Sequence, residues 1–285
     1  MTPHTQRLPR LSIGMPVYNG EVYVRDAIES LLSQTVGDFE LVISDNASTD
    51  ATQDICKAYA AQDSRVRYIR QGTNLGAAGN FRFVLKAAQQ GEYFMWAACD
   101  DTWSVNWIET LLKDFRLTDI GVFGGYREGG GALIYPPTYP QGDQLRFFLD
   151  SDRNGKCLYS YAIFRRDALM RSEKRFSDCS VGGDQLYLLH LLSFGALRCV
   201  PGGILNYRIH DASVSVQQRS TRNRLKTVFS RFPFVYYRMA FEAVPGRLKL
   251  AMPLLIACKY IKEQAPLMLG LVRSVFRRSR MLFRA

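Results

Sequence analysis

Two adjacent carboxylates, Asp100 and Asp101, directly follow an apolar run in the stretch YFMWAACDDTW. The run beginning at Tyr93 is rich in residues that favour a buried strand, and Thr102 with Trp103 beyond the pair is typical of a helix start. Neighbouring carboxylates at the end of a buried strand repel each other and lose solvation, so we expect a positive partner. Oxygen ligands of this kind suit Mg²⁺ or Mn²⁺ bridging to a diphosphate. The alternative is a solvated loop in which Asp101 caps the next helix.

Polar and glycine-rich segments also follow three other apolar runs. They are PVYNGE (16–21), SDNASTD (44–50) and GTNLGAAGN (72–80). Each alone has a structural alternative, since DNASTD is a good helix N-cap and Asn74 with Gly76 suits a plain turn. Because the carboxyl ends of parallel strands meet at one edge of a sheet, the three segments are expected to lie beside the aspartate pair.

Strands and helices that alternate along the chain position these segments. The strand candidates are LSIGMPV, FELVISD, VRYIR, EYFMWAAC and IGVFGG, and the segments between them have apolar residues at helical spacing. This alternation predicts an α/β fold with a mostly parallel sheet, flanking helices, right-handed crossovers and a ligand beyond the carboxyl ends of the strands. The predicted helices lie at about 22–34, 51–61, 77–90 and 106–115.

Length and composition limit the class of protein. The chain has 285 residues, 47% of them hydrophobic and 22% charged, which is enough for one large domain with its own core. The six cysteines are each twenty or more residues apart, so they form no CxxC zinc or redox motif. Neither GxGxxG after the first strand nor GxxxxGK[ST] is present, which disfavours nicotinamide and P-loop chemistry. The N-terminus MTPHTQRLPR contains no apolar run of secretory length, so we expect a cytoplasmic protein.

The positive charge is concentrated at the C-terminal end. Residues 216–285 contain 15 of the 37 Lys and Arg and two acids, whereas residues 1–215 contain 22 bases and 24 acids. The nearly neutral first part has no nucleic-acid-binding signature, so no nucleic-acid partner is expected. Residues 216–285 combine Arg and Lys with Leu, Phe and Met, and their longest apolar run, 250–258, is too short to span a bilayer. We predict amphipathic helices that bind an anionic membrane surface, with packing on the domain as the alternative.

The ordered segments SIGMPVYNGEVYVRDAIESLLSQTVGDFELVISDNASTDAT, NLGAAGNF and WAACDDTW together resemble the nucleotide-sugar half of family 2 glycosyltransferases, which are inverting enzymes with a GT-A fold. The resemblance covers about residues 10–125. It implies a Rossmann-like GT-A sheet and a metal-assisted transfer of sugar from a nucleotide-diphosphate donor. The nucleotide-sugar site that it implies consists of Pro16, Tyr18, Glu21, Asp45, Asn74, Gly76 and Asp100.

The resemblance also assigns roles within this site. Asp45 would receive the edge of the base, Asp100 would hold the ribose side, and Asp101 would bind the metal, Mg²⁺ or Mn²⁺. His210, in NYRIHDASVS, is a candidate metal or diphosphate contact. Position 99 departs from the family pattern, because Cys99 stands where many relatives have a further aspartate.

The acceptor side is expected in residues 126–215. The segment NGKCLYSYAIFRRDAL (154–169) resembles the family's strand and short helix, and GGDQLYLLHLLSFG resembles the element with a catalytic acid at a helix start. This implies Asp184 as the base, with Gly183 where the family usually has another acid. A carboxylate at a helix N-terminus is stabilised as an anion, which suits a base but equally an ordinary N-cap. His190, within the apolar run LYLLHLLSF, is interpreted as a packed core residue.

The sequence therefore predicts an inverting glycosyltransferase that acts on a glycan or polyprenyl-linked acceptor, in bacterial surface polysaccharide or glycolipid synthesis. A catalytic domain is expected at 1–215, with a donor half at about 10–125, and a basic helical tail at 216–285, peripheral on the inner face of the cell membrane. Two alternatives stay open. One is a non-catalytic relative that binds sugar nucleotide, and the other is a basic adaptor for membrane or nucleic acid.

Overall fold

The computed structural model describes residues 10–88, 91–150, 154–172 and 183–210, together with 241, 253–255 and 257. Most of the predicted tail, and the predicted domain boundary at 215, lie outside these residues. Within the described part of the chain, no helix is both long and apolar enough to cross a membrane.

The described residues form one mixed sheet in which parallel pairing predominates. The strands are β1 (Leu11–Val17), β2 (Phe39–Asp45), β3 (Val66–Arg70), β4 (Tyr93–Trp96), β5 (Thr102–Trp103), β6 (Asp119–Glu128), β7 (Leu133–Ile134), β8 (Ile163–Arg165) and β9 (Ala196–Tyr207). The strand order is β3-β2-β1-β4-β8-β6-β9-β5, with β7 paired to β6. Neighbours among β1 to β4 are parallel, as are β6 and β9, whereas β8 is antiparallel to both β4 and β6.

Helices cover the sheet, which confirms the predicted α/β fold. The helices are α1 (Val24–Leu32), α2 (Thr52–Gln62), α3 (Gly76–Ala87), α4 (Trp107–Lys113), α5 (Gln144–Leu149), α6 (Arg166–Ser172) and α7 (Gly183–Leu191), with a 3₁₀ helix at Lys156–Tyr161. The four predicted helices are α1 to α4, with bounds that differ by a few residues. α3 packs against β1 and β2, α4 packs against β6 and β9, and α1 packs against α2 and β5.

The interpretation of Thr102 and Trp103 as a helix start was wrong. They form strand β5, in which Thr102 lies opposite Asn206 and Trp103 opposite Leu205 of β9. Trp103 is buried in the core, and α4 begins only at Trp107. The pairing joins segments about a hundred residues apart, which a local pattern cannot indicate. Its consequence for the site is direct, because β5 brings the end of β9 next to the aspartate pair.

An aromatic layer supports the sheet beneath the site. Trp96, at the end of β4, is fully buried and its ring lies edge-on to Phe94, with centroids 4.8 Å apart. Trp107 makes a similar edge contact with Phe123 of β6, at 5.3 Å. Edge-to-face pairs of buried aromatic rings stabilise beyond the area that they bury. We infer that β4, which leads into the aspartate pair, ends on a rigid base.

Candidate active site

The loop after β1 presents an aromatic ring and is tied to the loop after β2. Pro16 is buried in the strand, whereas the Tyr18 side chain is 49% exposed. Asn19 has a left-handed backbone conformation with φ of 49°, which turns the chain sharply. Glu21 Oε2 accepts a hydrogen bond of 2.9 Å from the backbone N–H of Ala51. Glu21 therefore lies in the predicted region and fixes the loop to the start of α2.

Three further hydrogen bonds join these two loops. The backbone N–H of Asn19 donates to Ser48 Oγ at 2.9 Å, and Asn19 Oδ1 accepts from the backbone N–H of Thr49 at 2.8 Å. The backbone N–H of Gly20 donates to Thr52 Oγ1 at 2.8 Å. The strand register explains why they meet, since the last residues of β1 and β2, Val17 and Asp45, lie opposite each other. The two loops thus form one connected wall.

Asp45, predicted to receive the base edge, is fully buried and already holds three donors. Its Oδ1 accepts from the backbone N–H of Ser48 at 2.8 Å, and its Oδ2 accepts from Tyr68 Oη at 2.6 Å and from Arg70 Nη1 at 2.7 Å. Burial alone would raise the pKa of Asp45, but these hydrogen bonds and the Arg70 charge outweigh it and lower the pKa. The carboxylate in this arrangement anchors Arg70, whose side chain is 37% exposed at the surface.

We expect Asp45→Asn to lower the free energy of unfolding at pH 7 by roughly 1–3 kcal/mol, and by less at pH 3. A carboxylate whose pKa is lowered on folding contributes stability above its unfolded pKa of 3.8, and this contribution is lost as pH falls through the lower folded value. Urea unfolding at both pH values measures the difference. Asp38→Asn, which alters an exposed carboxylate, is the control. An equal effect of Asp45→Asn at both pH values would contradict the conclusion that the Asp45 carboxyl group is ionised in the folded protein at pH 7.

The loop before α3 is fixed to β2 by asparagine side chains. Asn46 Nδ2 donates to Asn74 Oδ1 and Asn46 Oδ1 accepts from the backbone N–H of Leu75, both at 2.8 Å. Gly76 has a φ of +73°, a conformation that glycine adopts without strain, and its N–H donates to Asn74 Oδ1. The predicted residues Asn74 and Gly76 therefore lie at the same sheet edge as Asp45, on the surface of the protein.

The aspartate pair lies beyond the carboxyl end of β4, separated by three residues from the strand end at Trp96 rather than directly after it, and its two members differ. Asp101 is 1% exposed, and its Oδ1 accepts from the backbone N–H of Arg208 at 2.8 Å. Its Oδ2 is buried and has no hydrogen-bond partner among the described residues. Burial and the neighbouring Asp100 raise the pKa of Asp101 to about 8. A cation beside this carboxyl would favour its ionised form.

Asp100 is the more accessible member and contacts the predicted histidine. Its side chain is 30% exposed, and its Oδ2 lies 2.9 Å from Nε2 of His210. The place of Asp100 on the ribose side stays a prediction. Burial, together with Asp100, raises the pKa of the neighbouring Cys99 thiol to about 12, so the cysteine is neutral at pH 7. Because Mg²⁺ and Mn²⁺ prefer oxygen ligands, the two aspartates are the candidates for binding such a cation among residues 99–101.

Asp184 lies in the first turn of α7, as predicted, and its side chain is outside the described structure. The next residue, Gln185, is buried and donates from Nε2 to Cys157 Sγ at 3.0 Å. This contact joins α7 to the 3₁₀ helix of the acceptor half. His190 is half buried, and its ring makes an edge contact with Phe194 at 5.3 Å, in keeping with a packing role.

Sequence reasoning missed two residues of the aspartate end, Tyr23 and Asp26 of the α1 region. The Tyr23 ring packs on His210 with centroids 4.5 Å apart, and Asp26 forms an ion pair with Arg208. Both contacts span more than 180 residues of sequence. A motif read within a short window contains no signal for them.

The side chains at this site would bind a divalent cation only together with ligands that the substrate supplies. In residues 10–88, 91–150, 154–172 and 183–210, no group of three or more His, Cys, Asp or Glu side chains is arranged around a metal position. The Oδ2 of Asp101, however, is a buried oxygen that has no hydrogen-bond partner among the described residues and could therefore accept a cation as its partner. Mg²⁺ is commonly bound by one or two carboxylates together with substrate phosphates and water. The residues present match that chemistry.

A cavity of about 410 Å³ lies at the opposite end of the sheet, near the start of β4. Because ligands of parallel α/β sheets bind beyond the carboxyl ends of the strands, this cavity is remote from the site described above. It is lined by Gly91, Glu92, Arg165, Arg166, Asp167 and Met170.

The fold, with its polar loops after β1, β2 and β3 and its aspartate pair after β4, is that of the GT-A class of glycosyltransferases. Within that class, the sequence profile described as Glycosyl transferase family 2 matches residues 12–172, and the chain belongs to this family.

Similar proteins agree with this placement. Glycosyltransferase GlyG of Streptococcus pneumoniae is 34% identical over 129 residues, which are 44% of this chain and 42% of GlyG. The putative teichuronic acid biosynthesis glycosyltransferase TuaG of Bacillus subtilis is 34% identical over 37% of this chain and 41% of its own. The matches thus span less than half of either relative.

Two solved structures show the same fold at low identity. S. aureus TarS 1-349 in complex with UDP-GlcNAc has a TM-score of 0.64 at 15% identity, covering 90% of this chain and 74% of TarS 1-349. The mannosyltransferase PcManGT from Pyrobaculum calidifontis, in complex with GDP-Man and Mn²⁺, has a TM-score of 0.59 at 16% identity. It covers 97% of this chain and 84% of its own.

Proposed function

We propose that this chain transfers a sugar, with inversion, from a nucleotide-diphosphate donor to a hydroxyl of a glycan or lipid-linked acceptor. The observation that supports it most directly is the Asp100–His210 contact of 2.9 Å beside the buried, unpartnered oxygen of Asp101. These groups lie at the sheet edge that also bears the loops after β1 and β2. Family membership provides the reaction class, and the resemblance to TuaG favours bacterial surface polysaccharide synthesis.

The donor would bind across the loops after β1, β2 and β3. Tyr18 offers an exposed ring for the base, and Arg70 offers a guanidinium that Asp45 holds at a fixed position. In this arrangement Asp45 would act on the base directly or through Arg70. Asn74 and Gly76 would line the site next to the sugar and phosphates.

Asp101 and His210 would hold Mg²⁺ or Mn²⁺. Asp100 is a further candidate ligand, because its Oδ2 lies 2.9 Å from His210 Nε2. When bound, the cation neutralises charge on the departing diphosphate. In the chemical step, Asp184 would take the proton from the acceptor hydroxyl while the hydroxyl oxygen forms a bond to the anomeric carbon. The bond from that carbon to the phosphate oxygen breaks, and its electron pair leaves with the diphosphate. One displacement of this kind inverts the anomeric centre.

A panel of UDP, dTDP and GDP sugars, each with and without Mn²⁺, tests this function by thermal shift. We expect one nucleotide class to raise the melting temperature and Mn²⁺ to increase that shift, since a ligand at a hundred times its Kd stabilises a protein by about 2.7 kcal/mol. The matching nucleoside monophosphates are the control, because they lack the diphosphate. If no diphosphate sugar outperforms its monophosphate, with or without Mn²⁺, the proposal is wrong.

We include in the proposal that residues 216–285 bind a membrane surface, and the support for this role comes from the sequence alone. Truncation after Ser215 should weaken co-sedimentation with anionic vesicles while nucleotide affinity stays nearly unchanged, because near-surface basic residues contribute about 1 kcal/mol each. Added salt should release the full-length protein, since charge is screened within about 8 Å at physiological ionic strength. Neutral vesicles are the control. Full-length protein that stays in the supernatant with anionic vesicles at low salt would refute the membrane role.

A further inference from the structure

Residues 208–210, which follow β9, lie against the aspartate pair. β9 ends at Tyr207, and the next residue, Arg208, donates its backbone N–H to Asp101 at 2.8 Å. Two residues later, the His210 ring meets Asp100. Residues 208–210 have left the β ladder, so the strand itself does not fix the direction of the His210 ring.

The Tyr23 side chain contacts two residues of this segment, His210 and Arg208. Its ring lies against the His210 ring, with centroids 4.5 Å apart and planes tilted by 33°. The guanidinium carbon of Arg208 lies 4.8 Å from the centroid of the same ring. Arg208 Nη2 also lies 3.0 Å from Asp26 Oδ2, one helical turn further along α1.

The position of Tyr23 is fixed by the start of α1. Its backbone N–H donates to the carbonyl of Gly20 at 3.0 Å, and its own carbonyl accepts from the N–H of Ala27 at 3.2 Å. Gly20 belongs to the loop after β1 that forms one wall of the donor site. An aromatic face attracts a guanidinium electrostatically and packs well on an imidazole ring. Tyr23 therefore connects the donor loop to His210 through one side chain.

We propose that Tyr23 is a positioning residue, whose ring holds His210 and Arg208 against Asp100 and Asp101. Through it, the loop after β1 and the cation side of the site keep a fixed relative position. The inference deepens the proposed function, since it assigns a role in the same site. The contacts of Tyr23 described above concern its ring, so Tyr23→Phe should preserve them and Tyr23→Leu should remove them.

Two measurements on the full-length protein test this role without requiring turnover. The first is the NMR signal of the His210 imidazole, identified among the three histidines by its loss in His210→Gln. We expect Tyr23→Leu to shift this signal toward that of a free imidazole, because the ring current of Tyr23 is lost, and Tyr23→Phe to leave it in place. The second is Mn²⁺ binding followed by electron paramagnetic resonance. The dissociation constant should rise about tenfold or more in Tyr23→Leu and stay near wild type in Tyr23→Phe.

The matched control is Tyr59→Leu, which removes another tyrosine whose ring faces an arginine, Arg25, at 5.8 Å, away from the aspartate pair. It should leave both measurements unchanged. Tyr23→Met, whose flexible side chain adapts to irregular gaps, replaces Tyr23→Leu if that variant does not fold.

An unchanged His210 signal in folded Tyr23→Leu or Tyr23→Met overturns the positioning role. If the His210 signal shifts but the Mn²⁺ affinity does not change, Tyr23 does not position His210 for cation binding, and that part of the proposal is wrong. If wild type binds neither Mn²⁺ nor any nucleotide sugar, the proposed function fails, while the NMR result still decides whether the Tyr23 ring lies on His210.

Discussion

Asp101→Asn should abolish turnover while the protein keeps its fold. The amide oxygen of asparagine can still accept the hydrogen bond from the Arg208 N–H, so the local backbone keeps its support. A neutral amide cannot balance the charge of a cation, however, and the buried position that Oδ2 now occupies would lose its capacity for negative charge. Nucleotide-sugar binding should therefore become independent of Mg²⁺ or Mn²⁺. Turnover, the melting temperature and donor binding with and without Mn²⁺ measure the three effects.

Asp119→Asn is the matched control for this variant. Asp119 is also 1% exposed, and it is paired with Arg198 at 2.8 Å at the start of β6, away from the aspartate pair. Its replacement should cost stability, since a buried charge loses its partner, but donor binding should keep its response to Mn²⁺. If metal-stimulated donor binding survives unchanged in Asp101→Asn, the residue does not belong to the cation site. Asp100→Asn then tests whether the carboxylate in contact with His210 holds the cation instead.

The donor half could be predicted closely because its signals are local. The runs LSIGMPV, FELVISD and VRYIR coincide with β1, β2 and β3, since each is a short β-forming run bounded by turn residues. The polar loops after them could be placed at one sheet edge because parallel strands leave no other arrangement. Residue types, spacing and fold class were sufficient here.

The aspartate end could be predicted only in part, because its contacts join distant segments. Asp100 and His210 are 110 residues apart, and the pairing of β5 with β9 that brings them together is encoded in packing across the sheet. For the same reason, the sequence did not reveal that Asp101 is buried while Asp100 is accessible. The motif does not distinguish the surroundings of these two adjacent carboxylates, whereas in the fold they differ in burial.

Asp45 illustrates a further limit of motif reading. Its role at the edge of the base stays a prediction, but the motif contains no sign of the two side chains, Tyr68 and Arg70, that donate to its Oδ2. The partners come from β3, the neighbouring parallel strand, whose register sets Arg70 opposite Asp45. Strand pairing thus decides which side chain reaches the surface.

Asp184→Asn should slow sugar transfer by roughly 10² to 10⁴-fold, the usual contribution of a positioned proton acceptor. The residue lies in the first turn of α7, where the helix dipole favours the anion that a base requires. Asparagine keeps the size and the capacity to cap the helix but cannot take a proton. Donor affinity and the melting temperature should therefore change little, so that kcat falls without an equal loss of binding.

The control for Asp184 is Asp143→Asn, which alters another aspartate at a helix start, the N-cap residue of α5 in the same acceptor half. It should leave kcat near wild type, since Asp143 pairs with Arg146 on its own helix. Single-turnover kinetics with saturating donor separate the chemical step from binding. Because asparagine caps a helix about as well as aspartate but cannot take a proton, a cap predicts an unchanged rate in Asp184→Asn and a base predicts a large loss of rate. An unchanged kcat would identify Asp184 as a structural cap, and a loss of donor affinity as large as the loss of rate would also remove it from the role of base, which would then lie elsewhere on the acceptor side.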